Sequence, residues 1–114
     1  MKESRSHEPI INLNLGDEFT KNSNKLLREL LQMFMKERIS LQQKINEAFY
    51  SKEKQRSDDL LHKLYGSCVY CGLDRLKASL IVLKTAIKND NFSEELLNIF
   101  NEEIENVVKE ADKI

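Results

Sequence analysis

The stretch Leu60-Leu61-His62-Lys63-Leu64-Tyr65-Gly66-Ser67-Cys68-Val69-Tyr70-Cys71-Gly72 decides how the chain is read. Leu61, Leu64, Cys68 and Cys71 are spaced three, four and three apart, so on a helix they form one apolar stripe with Leu60 at its edge. With Leu64 at the centre of that stripe, the ~100° advance per residue places His62 about 160° away, facing outward. Gly66 lies about 40° from His62 around the axis and Val69 about 20° from it. The outward line is therefore His62, Gly66 and Val69, flanked by Asp59, Lys63, Tyr65 and Tyr70. A solvated face would carry lysine, glutamate and glutamine here. A histidine, a glycine, a valine and two tyrosines resemble a docking surface instead.

Gly66 sharpens this reading. A glycine inside a helix is about 1 kcal/mol worse than alanine, so its presence needs a reason. Without a Cβ one turn beyond His62, another molecule can approach the ring closely. A lone exposed histidine is ordinarily a plain polar surface residue. The glycine and the apolar neighbours point instead to chemistry done on the imidazole.

Outward from this segment, the rest of the chain repeats the helical period. Asn22 or Ser23 can cap a helix carrying Leu27, Leu30, Phe34, Leu41, Ile45 and Ala48 at near-heptad spacing, from about residue 23 to 51. Arg38 and Ser40 weaken its stripe and leave room for a break or bend. Ser57 followed by Asp58 and Asp59 reads as the start of the His62 helix, a cap and then acids at the positive end of the dipole. Gly72 should end it. Leu73, Leu76, Leu80, Leu83 and Ile87 mark a further helix, Asn89-Asp90-Asn91 a turn, and Ser93 the cap of a last helix with Leu97, Phe100, Ile104, Val107, Ala111 and Ile114 inward. Upstream, residues 1–10, ending near Pro9, read as a linker or disordered N-terminal segment. Ile11, Leu13, Leu15 and Phe19 suggest a short additional N-terminal helix. The expected fold is all-α, an antiparallel up-down four-helix bundle over residues 11–114 with that short helix added. One apolar stripe per helix can close on itself, so a monomer is expected.

Composition narrows the function. The 114 residues suffice for one modest core, and the formal net charge is -1 although 32% of residues are charged. No basic block marks a nucleic-acid footprint, and no nucleic-acid partner is expected. The start, Met1-Lys2-Glu3-Ser4-Arg5-Ser6, has no apolar h-region, and no apolar run approaches the ~20 residues of a membrane span. A cytoplasmic location without direct membrane contact follows as the expectation. Cys68 and Cys71 form a Cys-x-x-Cys that could be a redox or metal site, but both fall on the apolar stripe, where a reduced cysteine behaves as a small hydrophobe. Zinc would need two more ligands, and the only other histidine is His7. Core packing is the expected role, with no metal and no cofactor in this chain.

Imidazole is a competent nucleophile and forms covalent intermediates. Near neutral pH, an ordinary histidine with a pKa of about 6.5 is largely uncharged and nucleophilic. Phosphoryl transfer asks mainly for positioning and charge stabilisation. The sequence has no Gly-rich phosphate loop, so the chain is expected to carry a phosphoryl group without taking one from ATP by itself. The competing reading is a helical-bundle docking module in which Tyr65, Val69 and Tyr70 bind a partner without chemistry.

The run Leu61-His62-Lys63-Leu64-Tyr65-Gly66-Ser67-Cys68 through Gly72 to Lys77 resembles the signature of histidine-containing phosphotransfer (HPt) domains: histidine, a variable residue, leucine, usually lysine, glycine, then small residues and a second glycine further on. The likeness spans roughly residues 10 to 114 and is closest to the C-terminal HPt module of BarA-type tripartite hybrid sensor histidine kinases. It implies a four-helix bundle in which Nε2 of His62 accepts a phosphoryl group from a receiver-domain aspartate, within the parent hybrid kinase. The group then passes to the aspartate of a cognate response regulator. It also implies that Gly66 clears the path for the receiver, that Ser67 lies close to the site, and that magnesium sits on the receiver. The usual lysine three residues after the histidine is Tyr65 here, which can hydrogen-bond but carries no positive charge. Lys63 lies about 100° from His62 around the helix.

Overall fold

The computed structural model describes residues 10–11 and 24–113. Four α-helices follow one another: α1 (Asn24–Tyr50), α2 (Lys54–Cys71), α3 (Asp74–Lys88) and α4 (Glu94–Ala111). Each packs on the next, and α4 returns to touch α1, so the chain closes an up-down four-helix bundle. The all-α expectation holds. The short N-terminal helix expected around Leu13, Leu15 and Phe19 lies outside the described residues, although Ile11 itself is buried in the core.

α1 runs unbroken for 27 residues, about 40 Å at 1.5 Å per residue. The weak point of its stripe is explained by α4. Arg38 extends to Gln42 Oε1 at 3.2 Å and to Glu105 Oε2 at 3.4 Å, so a polar residue between Phe34 and Leu41 serves the α1–α4 seam without bending the helix. Further along that seam Gln42 and Asn46 both donate to Asn101 Oδ1, and Asn101 Nδ2 donates back to Asn46 Oδ1 at 2.9 Å. The core shared by the four helices is apolar, filled by residues such as Phe34, Phe49, Leu61, Leu76, Leu83 and Phe100, all under 2% exposed.

All three connections close in the same way. Glu53 N donates to Ala48 O, Leu73 N to Cys68 O and Asn91 N to Ala86 O, at 2.8 to 2.9 Å. In each case the preceding residue has a positive φ: Lys52 at 58°, Gly72 at 67° and Asp90 at 63°. Each of those residues also donates its N–H three residues back, to Phe49, Val69 and Ile87 respectively. These are three Schellman closures, which satisfy the last carbonyls of α1, α2 and α3. Only the one with glycine was expected from sequence. At the first, Lys52 Nζ lies 4.9 Å from the Phe92 ring centroid and 5.7 Å from that of Phe49, attractions that offset its left-handed backbone.

One boundary corrects the sequence reading. α2 starts at Lys54, not after Ser57. Because the Schellman closure at Lys52 turns the chain at once into the next helix, Ser57 already donates its N–H to Glu53 O at 2.9 Å. Its side chain is fully buried, with no hydrogen-bond partner for Oγ among the described residues. Ser93, by contrast, caps α4 as expected, its Oγ accepting from Leu96 N at 3.3 Å.

One buried charge pair ties α3 to α4. Glu103 is fully buried, and its Oε2 accepts from Arg75 Nη2 at 3.1 Å and from Arg75 Nε at 3.3 Å, while Asn106 Nδ2 donates to Oε1. A glutamate is tolerated inside because both of its oxygens are hydrogen-bonded. No helix among the described residues is long and apolar enough to cross a membrane.

Candidate functional site

α2 sorts its residues by angle as the spacing requires. Leu61, Leu64, Cys68 and Cys71 are buried, His62 and Lys63 are exposed, and Tyr65, Gly66, Ser67 and Val69 are half-buried along the shoulders. Tyr70 is 56% exposed. The imidazole is therefore carried by a rigid helix whose opposite face is locked in the core.

The two glycines of this segment have different physical causes. Gly72 has a left-handed backbone that a side chain would strain. Gly66 sits inside the helix, and a Cβ built there meets no atom within 4 Å. The bundle itself therefore has room for a side chain at 66, and nothing in its own packing calls for glycine. What the missing side chain provides is open space beside His62.

The expected site residues divide between two flanks. On the side toward α1, Ser67 Oγ donates to Glu37 Oε1 at 3.0 Å, and within α2 Asp59 Oδ1 accepts from Gln55 Nε2 at 2.9 Å. On the other side His62 and Tyr65 line a cleft between α2 and α3, with Lys54 and Asp58 from α2 and Ile81, Lys84 and Lys88 from α3. Lys84 Nζ lies 3.7 Å from Asp58 Oδ1, and Lys54 Nζ 3.2 Å from Asp90 Oδ1. The concavity that His62 lines opens on α3. Asp58, Ile81, Lys84 and Lys88 were not singled out as site residues. The signal that could have found them is the short α2–α3 turn: it makes the two helices antiparallel neighbours and sets residues equidistant from Gly72 and Leu73 level with one another.

The two cysteines behave as packing. Both thiols are free and buried. Burial, followed by the proximity of Cys71, pushes the Cys68 thiol up to about 12, and burial followed by Glu37 pushes Cys71 up to about 11. A thiol held protonated is a poor nucleophile and a poor metal ligand. No group of three or more histidine, cysteine, aspartate or glutamate side chains among the described residues is arranged to hold a metal ion.

An exposed imidazole on a locked helix, beside open space and a lysine-lined cleft, is an arrangement for accepting an anionic group, and comparison with known proteins gives the class. Residues 29–112 match the Hpt domain family, and the chain belongs to it: it is a histidine phosphotransfer domain of the kind that works in phosphorelays. It is similar to the signal transduction histidine-protein kinase BarA of Escherichia coli (strain K12), 36% identical over 93 residues covering 78% of this chain and 10% of that protein. The BarA of Shigella flexneri matches to the same extent. The chain thus spans about a tenth of the length of the curated relatives it matches. Hpt domains in hybrid kinases interact with receiver domains and response regulators.

Proposed function

We propose that His62 is the phosphoacceptor of this domain. The Nε2 lone pair attacks the phosphorus of a receiver's aspartyl phosphate; the P–O bond breaks as the P–N bond forms, and the aspartate leaves as a carboxylate. The imidazole becomes a phosphorylated imidazolium with its proton kept on Nδ1, so charge and protons balance without an external acid. The reverse step delivers the group to the aspartate of a response regulator. Magnesium belongs to the receiver in this scheme. The donor receiver lies in the same parent hybrid sensor kinase, with this domain as its C-terminal module on the cytoplasmic side of the membrane, working as a monomer. Asp59, Lys63, Tyr65, Ser67, Val69 and Tyr70 flank His62 along α2 and form the surface on which the receiver docks.

The observation that carries this reading is the pairing of an exposed His62 with a glycine the bundle does not need. A partner must approach within contact distance of the ring for in-line transfer, and a side chain at 66 would stand in its way. The test is transfer from a phosphorylated receiver to the wild type and to His62→Gln. Wild type should acquire an acid-labile label and the variant none, with equal helicity; labelling of both would refute the assignment.

A further inference from the structure

A phosphoryl group carries ~1.5 to 2 negative charges near neutral pH, of which the imidazolium ring offsets one, and the charge is concentrated on the phosphoryl oxygens. The residues of α2 nearest the imaginary line through His62 supply little to balance that charge. Tyr65 is neutral, Gly66 has no side chain, Asp58 and Asp59 are negative, and Lys63 points about 100° away around the helix. A cation on another element would balance that charge, and α3 brings Lys84 and Lys88 to the cleft that His62 lines.

Resting on the phosphoacceptor assignment of His62, we propose that Lys84 of α3 is the cation that binds the phosphoryl group, and that in the unphosphorylated domain it is held ready on Asp58. Three observations carry this. Lys84 and His62 line the same cleft. They lie at nearly equal sequence distances from the Gly72–Leu73 turn, so the antiparallel packing of α2 on α3 sets them level. And the side chain of Lys84 already spans from α3 to α2, its Nζ 3.7 Å from Asp58 Oδ1. Asp58 is one helical turn before His62, ~6 Å along the axis and about 40° around it on the Tyr65 side, so the ammonium has only a short swing to make on its flexible four-carbon stem.

The electrostatics favour that exchange. The Lys84–Asp58 contact is long, and its side chains are 33% and 39% exposed, so little holds it together. A phosphoryl group one turn away offers a larger charge and three acceptor oxygens. Lys54 and Lys88 line the same cleft, Lys54 lying 3.2 Å from Asp90, so three lysines against the carboxylates of Asp58 and Asp90 leave its field net positive and favourable to an anion. Asp58 then has two effects. It pre-positions the lysine, and it opposes phosphorylation by competing for that lysine and by repelling the incoming charge.

The experiment is the equilibrium distribution of phosphate between a phosphorylated receiver and this domain, measured for wild type, Lys84→Met, Lys84→Arg and Asp58→Asn over a range of salt concentrations. Losing one charge-assisted hydrogen bond should move the Lys84→Met equilibrium toward the receiver by about tenfold and flatten its salt dependence. Lys84→Arg keeps the charge and should stay within about twofold of wild type. Asp58→Asn should move the equilibrium the other way, toward the phosphorylated domain. A purely structural lysine would show neither the arginine rescue nor the opposite response at 58. Lys84→Met with the wild-type equilibrium and salt dependence would overturn the inference and leave His62 as acceptor. A wild type that takes no phosphate at all would overturn both.

Discussion

On its inner face α2 presents Leu61, Leu64, Cys68 and Cys71, none more than 2% exposed, while on its outer face the same helix presents an accessible histidine, a half-buried valine and a glycine with open space above it. The inner residues are explained entirely by what they touch within the chain. Gly66 has no such explanation, since a Cβ built there meets no atom within 4 Å. The contrast shows where to look for function in a small helical domain. Residues whose identity the fold accounts for are scaffold, and residues that weaken the fold without an internal partner answer to another molecule.

Gly66→Leu should break the outer face most severely. Transfer from the receiver should fall on the order of a hundredfold, the scale expected when reacting groups are held ~1 Å out of place, while helicity stays equal or rises slightly. Transfer at the wild-type rate would show that the open space is not a path. Leu64→Ala attacks the inner face two residues from the histidine. It should lower the unfolding free energy by about 2 to 5 kcal/mol in denaturant titration and leave the transfer rate of the folded fraction nearly unchanged.

Smaller and more discriminating is the comparison of Gly72→Ala with Gly66→Ala. The first forces a side chain into a left-handed backbone and should destabilise by about 1 to 2 kcal/mol, whereas the second improves a helix interior and should stabilise by up to ~1 kcal/mol. Equal signs for the two would erase the distinction drawn between these glycines. The last effect is absent at neutral pH. Because burial raises both thiols from the ordinary value of 9.0, to about 12 at Cys68 and about 11 at Cys71, the unfolded chain ionises first. Stability present below pH 9 should then decline as pH rises through that window. The slope of unfolding midpoint against pH between 9 and 10 should be steeper in wild type than in a Cys68→Ala, Cys71→Ala double variant; parallel slopes would count against the burial effect.

Much of this was legible in the sequence because it depends on local period and local chemistry. The stripes of α1 to α4, the glycine that ends α2, the Ser93 cap and the outward angle of His62 all follow from helix geometry and terminus preferences. What escaped depends on tertiary neighbours. Lys52 and Asp90 adopt the left-handed closure that Gly72 advertises, and the first of these moved the start of α2 upstream of Ser57. Glu103 reads as one more surface glutamate of α4 until Arg75 of α3 is seen to neutralise it. Arg38 reads as a flaw in the α1 stripe until Glu105 appears opposite. Of the candidate site, His62 and Gly66 were visible along one helix, whereas Asp58 and Lys84 come together only through the packing of two.

The most direct test of the central claim is to find the phosphorus. After phosphorylation by a receiver, nitrogen-15 and phosphorus-31 spectra of the intact domain should show a phosphoramidate at Nε2 of His62, with the backbone signals of Leu61 and Leu64 little moved because the inner face of α2 remains packed. Phosphate on any other residue, or a receiver complex that forms without a P–N bond, would contradict the account and leave the outer face of α2 as a docking surface alone.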